Sequence, residues 1–422
     1  MLCPGTDEKE RKKGLVAMRV LVAGAGIGGL IAALSLIRRG FDVEVYEQAP
    51  TLGEIGAGFQ IGANGARVLF ALGLEEAIRQ RYSLMQGKIV RLWSTGQEWK
   101  LFDLGEVSVQ RYGFPYFMMH RADLHAILVD AVNAASPGCV RLNKRVTAVA
   151  TDDRSATLTF ADGTHAIGDV AVGADGVHSA MRHAMFGSDE PQFTGLVAWR
   201  AMVPGNKLPD RLMRPVGTNW IGPGRHIVHY PVRGGELFNF VAVVENDEWR
   251  AESWTQRCSR EECAADFVGW HEDIQTVIGA IEEPYKWALI GREPMQRWSV
   301  GRATLLGDAC HPTLPFLAQG ANMAIEDGFV LARCLDAYAD DPQTALQYYE
   351  AARVERASRM VRGSAENGRR FHSNQLSTTT EEAQRYVDRE WQGGIIEERY
   401  DWLYRYDATT APINVTNSCV AA

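Results

Sequence analysis

An acidic residue at the end of an apolar run is the first candidate for chemistry. Asp308 follows the strand-like residues 303–306, and a loop with Pro312 and Pro315 leads to an apparent helix that opens near Gly320. Ligands of open α/β sheets bind at the carboxyl ends of strands, and helix N-termini favour negative charge. An ordinary strand–loop–helix connection has the same pattern, so this segment alone assigns no ligand.

A glycine-rich turn near the start of the chain indicates a more specific ligand. Gly24, Gly26 and Gly29 form the pattern GxGxxG between a Val- and Leu-rich strand and the apolar helix of residues 30–38. These glycines permit a tight turn, close approach of a pyrophosphate and close strand–helix packing. Glu47 ends the next predicted strand, where a carboxylate can bind ribose hydroxyls. The unit predicts a dinucleotide site.

A third turn has the same order of strand, acid and glycine. Asp175 and Gly176 follow the apolar residues 170–173, and Ser179 and Arg182 come shortly after. Asp-Gly is also a common β-turn pair, and Asp175 could hold its own loop through backbone amides. The two interpretations are compatible.

Composition excludes several classes of protein. The 422 residues are enough for two or three domain-sized units. With 46% hydrophobic and 23% charged residues, the composition is that of an ordinary globular protein. A net charge of −8 argues against a general nucleic-acid binder, because no large basic field is present. No apolar stretch is long enough to span a bilayer.

The cysteines and the first residues bear on the compartment. The seven cysteines form no CxxC pair, which suggests neither a metal site nor a disulfide framework and favours a reducing cytoplasm. Residues 1–17 are highly charged and lack the apolar core of a signal peptide, so we expect a disordered tail. Met1 and Met18, which directly precedes the first strand, both remain candidates for the biological start.

The order of the predicted elements indicates interleaved domains of class α/β (α+β). A Rossmann-type dinucleotide domain occupies residues 18–190, with an excursion into a second domain near 89–116, and returns at 286–342. Residues 191–285 are predicted to form a second, substrate-binding sheet domain. Within it, about residues 192–250 alternate aromatic residues and Val between turns, as an antiparallel sheet does, and residues 261–281 have helical periodicity. Residues 343–422 form a mostly helical C-terminal region.

Three separated motifs together resemble a known enzyme family. They are GAGIGG at 24–29, GADGVHSAMR at 173–182 and LLGDACHP at 305–312. In this order they resemble the single-component FAD-dependent aromatic hydroxylases of the p-hydroxybenzoate hydroxylase fold, over about residues 18–370. The resemblance implies a monooxygenase that uses FAD, O₂ and NADH or NADPH and transfers oxygen from a flavin C4a-hydroperoxide.

The resemblance also implies which residues hold FAD. The ADP part is implied to lie against the first turn and the acid that follows it, namely Gly24, Gly26, Gly29 and Glu47. Asp308 is implied to bind the ribityl chain, and the helix that begins near Gly320 to face the flavin pyrimidine ring. The segment around Asp175 is implied to contribute to binding of both FAD and NAD(P)H. Arg121, in HRADLH, matches an arginine that contacts FAD in the family; the alternative is a surface arginine at a helix N-terminus.

A predicted strand at residues 224–231 carries the candidate substrate-binding side chains. Because strand side chains alternate, His226, Val228 and Tyr230 share one face and His229 lies on the other. His226 and Tyr230 form either a hydrogen-bonded core pair or a pocket wall that polarises a phenol and holds a polar ring substituent. A histidine can accept a phenol proton near neutral pH. His229 is interpreted as structural or exposed.

Longer segments refine the resemblance. YGFPYFMMHRADLHAIL, IGAGFQIGANGARVL and GPGRHIVHYPVRGGELFNFVAV most resemble 3-hydroxybenzoate 6-hydroxylase, whose substrate-contacting residues match His226 and Tyr230. That enzyme carries glutamine where this chain has Pro315, and proline is closer to the salicylate hydroxylases. The 6-hydroxynicotinate 3-monooxygenases carry histidine where this chain has Gln60, which argues against that substrate.

The sequence therefore predicts a cytoplasmic monooxygenase for small phenolic carboxylates, with His226 activating the phenol and Tyr230 positioning it. Salicylate 1-hydroxylase and 6-hydroxynicotinate 3-monooxygenase activities remain alternatives. A non-catalytic flavin-binding regulator is the alternative from a different class. No metal, nucleic acid or membrane span is expected, and a homodimer is left open.

Overall fold

The computed structural model describes residues 17–53, 57–188, 191–246, 256–377, 379–391 and 393–414. The predicted tail of residues 1–17 lies outside this part of the chain except for Ala17. The strands in chain order are β1 (Arg19–Ala23), β2 (Asp42–Tyr46), β3 (Gly58–Ile61), β4 (Ser83–Leu84), β5 (Gly87–Leu92), β6 (Glu98–Asp103), β7 (Phe117–His120), β8 (Val140–Arg141), β9 (Val146–Thr151), β10 (Ala156–Phe160), β11 (His165–Gly168), β12 (Val170–Gly173), β13 (Gln192–Pro204), β14 (Val216–Gly222), β15 (Arg225–Val232), β16 (Leu237–Glu245), β17 (Tyr285–Gly291), β18 (Ser299–Val300) and β19 (Ala303–Leu305).

The α-helices follow the same numbering. They are α1 (Ile27–Ile37), α2 (Ala63–Ala71), α3 (Glu75–Arg79), α4 (Gly105–Tyr112), α5 (Arg121–Ala135), α6 (Ala180–Phe186), α7 (Arg260–Asp266), α8 (Glu272–Ala280), α9 (Gly320–Ala337), α10 (Pro342–Phe371), α11 (Thr380–Glu390) and α12 (Gly393–Arg405). No helix in the described ranges is long and apolar enough to cross a membrane.

A six-stranded sheet in the order β18-β19-β12-β1-β2-β8 brings the predicted cofactor segments together. Strands β19, β12, β1 and β2 are consecutive neighbours and run parallel. Asp308, Asp175, the turn at 24–29 and Glu47 each follow one of these strands. Since the carboxyl ends of parallel strands lie at the same edge of a sheet, the four segments meet there.

A seven-stranded sheet in the order β17-β13-β16-β15-β14-β5-β6 forms the second layer. Strands β5 and β6 come from a much earlier part of the chain, and β5 pairs with β14 in parallel, whereas the other pairs are antiparallel. Trp199, Trp220 and Phe240 pack on one face with α7 and α8. The predicted fold class, a Rossmann-type domain interleaved with an antiparallel-sheet domain and followed by a helical C-terminal region, is confirmed. The domain boundaries stay predictions.

The helical periodicity of residues 261–281 corresponds to two helices, α7 and α8. Gly269 between them has a φ of 82°, a left-handed conformation that suits glycine. The side chain of His271 then accepts a hydrogen bond from the Asp273 N–H and caps α8. The chain therefore turns between the helices and covers the outer face of the seven-stranded sheet with both.

Candidate active site

The glycine-rich turn is held in its shape by contacts that exclude side chains. Gly24 has a φ of 101° and donates its N–H to the Tyr46 carbonyl at 2.8 Å. A Cβ at Gly29 would lie 2.0 Å from the Gly24 carbonyl oxygen, so glycine lets α1 begin this close to β1. A Cβ at Gly26 would meet no atom within 4 Å. Gly26 therefore faces open space, whereas Gly24 and Gly29 face protein.

The space at Gly26 lies at the N-terminus of α1. Gly26 is the N-cap residue, and within the described chain no side chain caps this end, so the first N–H groups can bind an anion such as a pyrophosphate. Glu47 borders the same groove. Its carboxylate accepts hydrogen bonds from the N–H groups of Ala25 at 2.8 Å and Ala49 at 2.9 Å. A carboxylate has further lone pairs for a ribose hydroxyl.

Asp175 holds its own loop. Its carboxylate accepts hydrogen bonds from the Ser179 hydroxyl at 2.6 Å and the Met181 N–H at 3.1 Å. Burial raises the pKa of Asp175, and the hydrogen bond from Ser179 opposes that rise. Asp175 also borders the groove that contains Gly24 and Glu47, so both interpretations of this turn are compatible with the structure.

Asp308 and Arg121 both line a cavity of about 370 Å³ that shares Gly26 with the groove. The Asp308 side chain is accessible from this cavity. Burial raises the pKa of Asp308, and the charges of His311 and Arg121 oppose the rise. Gly320, the first residue of α9, also lines the cavity.

A buried ion cluster fixes the loop that carries Asp308. The Asp327 carboxylate accepts a hydrogen bond from the Gly307 N–H at 3.0 Å. The same carboxylate lies 2.6 Å from His311 Nε2 and 2.7 Å from Arg353 Nε. Burial opposes ionisation, but His311 and Arg353 prevail and lower the pKa of Asp327 to about 2. Asp327 belongs to α9 and Arg353 to α10, so these contacts hold the loop against both helices.

Strand β15 forms the opposite wall. His226, Val228 and Tyr230 all line the cavity, which confirms that they share one face. His229 lies on the other face, where its Nε2 accepts a hydrogen bond from Trp220 Nε1 at 2.9 Å and its ring stacks on Phe238. His229 is buried and structural.

Two buried neighbours orient the Tyr230 hydroxyl. The Tyr116 hydroxyl donates to Gln60 Oε1 at 2.5 Å, so the amide nitrogen of Gln60 is the atom left for Tyr230. Burial raises the pKa of Tyr230, and the hydrogen bond from Gln60 opposes the rise. Because the Tyr230 oxygen accepts from Gln60, its own O–H can donate into the cavity.

Comparison with known proteins shows the family to which the chain belongs. A family model described as an FAD binding domain matches residues 17–364. The chain belongs to this FAD-binding family. The resemblance derived from the sequence motifs is therefore confirmed.

Individual relatives in the family narrow the chemistry. The 3-amino-4-hydroxybenzoate 2-monooxygenase PtmB3 of Streptomyces platensis is 41% identical over 395 residues, which are 94% of this chain and 97% of the relative. The 3-hydroxybenzoate 6-hydroxylase of Polaromonas naphthalenivorans is 38% identical over 393 residues, 92% of this chain and 96% of the relative. The crystal structure of Klebsiella pneumoniae HpxO complexed with FAD and uric acid has a TM-score of 0.79 at 29% identity and covers 91% of this chain and 96% of that chain. The protein is an FAD-dependent aromatic hydroxylase with NAD(P)H as co-substrate.

The geometry of the hydroxylase fits FAD. Gly26 offers backbone without a side chain in the groove, and the starts of α1 and α9 have no side-chain cap among the described residues. Asp308 presents an open carboxylate between them. This series of anion-binding N–H groups and hydroxyl-binding carboxylates suits a pyrophosphate joined to a ribityl chain. Gly29 lines neither space and acts through packing alone.

Helix α10, the first helix of the C-terminal region, supports the cavity of the hydroxylase. Sequence reasoning missed this role. Pro315 and Phe316, in the short turn that follows Leu314, line one side of the cavity. Ser364 Oγ donates to the Leu314 carbonyl at 2.6 Å, and Asn367 Nδ2 donates to the Phe316 carbonyl at 2.8 Å. Small and polar residues spaced three and four apart on one helix face are the signal that could have indicated this contact.

Sequence reasoning also missed the polar partner of His226. His226 Nδ1 lies 2.6 Å from Nε2 of His372, which is 146 residues away in the chain. His372 caps the C-terminus of α10. A histidine at the end of a long helix carries no pattern that relates it to a strand so distant in sequence.

Proposed function

We propose that this hydroxylase acts on a small phenolic carboxylate of the hydroxybenzoate class. The observation that supports it is the pairing of a proton acceptor and a donor on one wall of the cavity. His226 Nδ1 is bonded to His372, which leaves Nε2 for a ligand, and the Tyr230 O–H is oriented to donate. Residues two apart on a strand are separated by about 7 Å, comparable with the span of a phenol oxygen and a carboxylate on one ring.

The protonation states of the pair suit phenol activation. Burial holds the pKa of His226 well below its ordinary value. The ring is therefore neutral and its Nε2 can accept a hydrogen bond from the phenol O–H, while the lowered pKa also makes the ring a weaker base. Burial raises the pKa of Tyr230, so its hydroxyl stays protonated and can bind the carboxylate. A phenolate is a better nucleophile than a phenol. Bound FAD, reduced by NAD(P)H, supplies from O₂ the electrophilic oxygen that the activated ring takes up.

The choice of substrate rests on the relatives and on two cavity residues. Both curated relatives described above are named for hydroxylation of a hydroxybenzoate. Gln60, held by Tyr116, stands where 6-hydroxynicotinate 3-monooxygenases carry histidine, which opposes that alternative. Pro315 lines the cavity and keeps salicylate as the second candidate. We take 3-hydroxybenzoate first and 3-amino-4-hydroxybenzoate beside it.

The cofactor roles form part of the same proposal. The residues proposed to contact FAD border the groove or the cavity and are Gly24, Gly26, Glu47, Arg121, Asp175, Asp308 and Gly320. Gly29 is proposed to contribute to FAD binding through packing that shapes the turn. Residues 18–190 and 286–342 are proposed as the FAD domain, 191–285 as the substrate domain and 343–422 as the C-terminal region. We place the reaction in the cytoplasm, where NAD(P)H is available, and leave homodimer formation open.

A turnover screen tests the proposal. NADH and NADPH oxidation is measured with 3-hydroxybenzoate, 3-amino-4-hydroxybenzoate, salicylate and 6-hydroxynicotinate, and each product is identified, with released CO₂ marking decarboxylating hydroxylation. In His226→Ala we expect product formation to fall by about a hundredfold while FAD remains bound. Unchanged product formation in that variant, or oxidation without hydroxylated product from any of the acids, would overturn the proposal.

A further inference from the structure

A line of three polar side chains runs from the cavity to solvent. His226 on β15 lines the cavity and is only 1% exposed. Its Nδ1 lies 2.6 Å from His372 Nε2, and His372 Nδ1 lies 3.2 Å from Glu245 Oε1 at the end of β16. The His372 side chain is 4% exposed and that of Glu245 is 59% exposed. The line therefore has one end in the cavity and the other in water.

Backbone contacts and aromatic rings hold the line in place. The Gly224 N–H donates to the His372 carbonyl at 3.2 Å, and the Glu245 N–H donates to the Gly224 carbonyl at 2.9 Å. The turn at Gly224 thus ties the end of α10 to the end of β16. Phe316 and Phe371 pack on the His226 ring with centroids 5.0 and 5.1 Å away. These two rings pack against the inner end of the line.

Few charges other than Glu245 act on the two rings. On β15, Arg225 donates to the Asp266 carbonyl, and Tyr230 is kept neutral by burial. On α10, Arg370 pairs with Glu366. The pKa of His226 is lowered by burial and by His372; the pKa of His372 is lowered by burial and raised in part by Glu245. Both rings are therefore neutral before the substrate arrives.

The carboxylate at the outer end fixes the tautomers. An ionised carboxylate only accepts hydrogen bonds, so His372 carries its proton on Nδ1 and presents a bare Nε2 to His226. His226 must then carry its proton on Nδ1, which leaves a lone pair on Nε2. That is the nitrogen available to the cavity. The geometry sets His226 as a base before any ligand binds.

We propose that His372 and Glu245 are positioning residues that hold His226 in its basic tautomer and carry the substrate's proton to solvent. The proposal rests on the proposed function of His226. The phenol O–H bond breaks as an N–H bond forms at His226 Nε2. His226 Nδ1 passes its proton to His372 Nε2, and His372 Nδ1 passes its proton to Glu245 and then to water. The reverse shift returns a proton to the product phenolate and restores both tautomers without any change of oxidation state.

The position of His372 at the C-terminus of α10 supports this transfer. The carbonyl end of a helix carries partial negative charge and stabilises a nearby cation. Glu245 adds a full negative charge on the other side. A positive charge that forms transiently on either ring is therefore stabilised at the outer end of the line, which favours movement of the proton away from the cavity.

Three variants test the proposal in the FAD-loaded enzyme. His372→Gln keeps an acceptor and a donor in the line but cannot pass a proton through its amide. Glu245→Gln removes only the outer charge from an exposed side chain. His229→Gln is the matched control, because His229 is a buried histidine on the other face of β15 with a single polar contact to Trp220 among the described residues. Thermal unfolding and FAD content establish that each variant is folded.

The measurement is proton release when the oxidised enzyme binds the acid that the wild type hydroxylates, taken from 3-hydroxybenzoate, 3-amino-4-hydroxybenzoate and salicylate. It is followed by a pH indicator and by the ultraviolet signal of the bound phenolate. We expect proton release and hydroxylation to slow by about tenfold or more in His372→Gln. In Glu245→Gln the apparent pKa of the bound phenol should rise by about one unit. His229→Gln should match the wild type. Without the acid, whichever of NADH and NADPH the wild type oxidises should reduce FAD equally fast in all variants.

The results separate the relay from the function on which it rests. If the wild type hydroxylates none of 3-hydroxybenzoate, 3-amino-4-hydroxybenzoate and salicylate, both proposals are rejected. If His226→Ala is impaired but His372→Gln and Glu245→Gln behave like His229→Gln, His226 remains the base and the relay alone is rejected. Should His372→Gln fail to fold, the phenol titration of Glu245→Gln decides: an unshifted titration rejects the relay.

Discussion

The glycine turn after β1 and the cavity wall formed by β15 differ in the groups that they present to a ligand. At the turn, the backbone is presented, through Gly26 and the uncapped start of α1. At the wall, side chains are presented, and His226 and Tyr230 are each oriented by residues from other elements. Backbone shape is fixed by local packing, whereas side-chain chemistry at the wall depends on distant neighbours.

Each region also has an acidic residue, and the two acids differ in burial. Asp327 beneath the cofactor cavity is fully buried between charged partners. Glu245 at the outer end of the histidine line is 59% exposed. A buried paired charge is costly to break, whereas an exposed charge contributes little to stability. Loss of charge should therefore reduce stability on the cofactor side and affect mainly proton transfer on the substrate side.

The largest expected effect comes from Asp327→Asn. The substitution removes the anion between His311 and Arg353 and should lower the free energy of unfolding by about 3 to 5 kcal/mol. The native pKa is lowered to about 2, so the stabilisation is fully present above the unfolded value of roughly 3.9 and is lost as pH falls through the native pKa. Urea unfolding at neutral and acid pH measures both features.

Glu245→Gln serves as the control for this measurement, and its unfolding free energy should stay within about 0.5 kcal/mol of the wild type. FAD affinity should fall in Asp327→Asn, since Asp327 holds the Gly307 N–H and with it the loop of Asp308. Equal stability of the two variants would show that the contrast between buried and exposed acids is wrong.

A pair of alanine substitutions sharpens the contrast within the glycine turn. The Cβ of Gly29→Ala would lie 2.0 Å from the Gly24 carbonyl oxygen, so the apo-protein should lose about 3 kcal/mol of stability. The Cβ of Gly26→Ala would meet no protein atom within 4 Å. Its apo-protein should be as stable as the wild type but bind FAD about tenfold or more weakly, because the methyl occupies the groove.

Thermal unfolding without FAD and fluorescence titration with FAD separate the two glycines. A destabilised Gly26→Ala apo-protein would mean that Gly26 faces protein rather than ligand. Normal stability of Gly29→Ala would mean that α1 can move away from β1, and the close packing assigned to this position would then be incorrect.

The cofactor side could be predicted from sequence because its determinants are local. The turn of Gly24, Gly26 and Gly29 needs a fixed spacing of glycines, and each acid directly follows its own strand. The parallel order of those strands then brings Glu47, Asp175 and Asp308 to one edge. The sequence could not show that the Asp175 carboxylate accepts hydrogen bonds within its own loop. Those bonds depend on the positions of the Ser179 hydroxyl and the Met181 N–H.

The substrate side could be predicted only in part. Alternation along β15 placed His226 and Tyr230 on one face, but it gave no tautomer for His226 and no direction for the Tyr230 hydroxyl. Those depend on His372 and on the pair of Gln60 and Tyr116, which come from other elements. Contacts between residues so far apart in the chain follow from packing, which periodicity does not record.

The smallest expected effect, and the sharpest test of roles on the wall, comes from Tyr230→Phe. The variant keeps the ring and removes the hydroxyl that Gln60 orients. We expect KM for the aromatic acid to rise by about tenfold, equivalent to about 1.4 kcal/mol for one hydrogen bond, with little change in kcat. Because burial raises the pKa of Tyr230, the hydroxyl stays protonated near neutral pH, and the pH profile of kcat should not move between about pH 6 and pH 9. A shifted profile would mean that Tyr230 acts as an acid or base in the reaction. It would contradict the proposal that His226 activates the phenol and Tyr230 only positions the substrate.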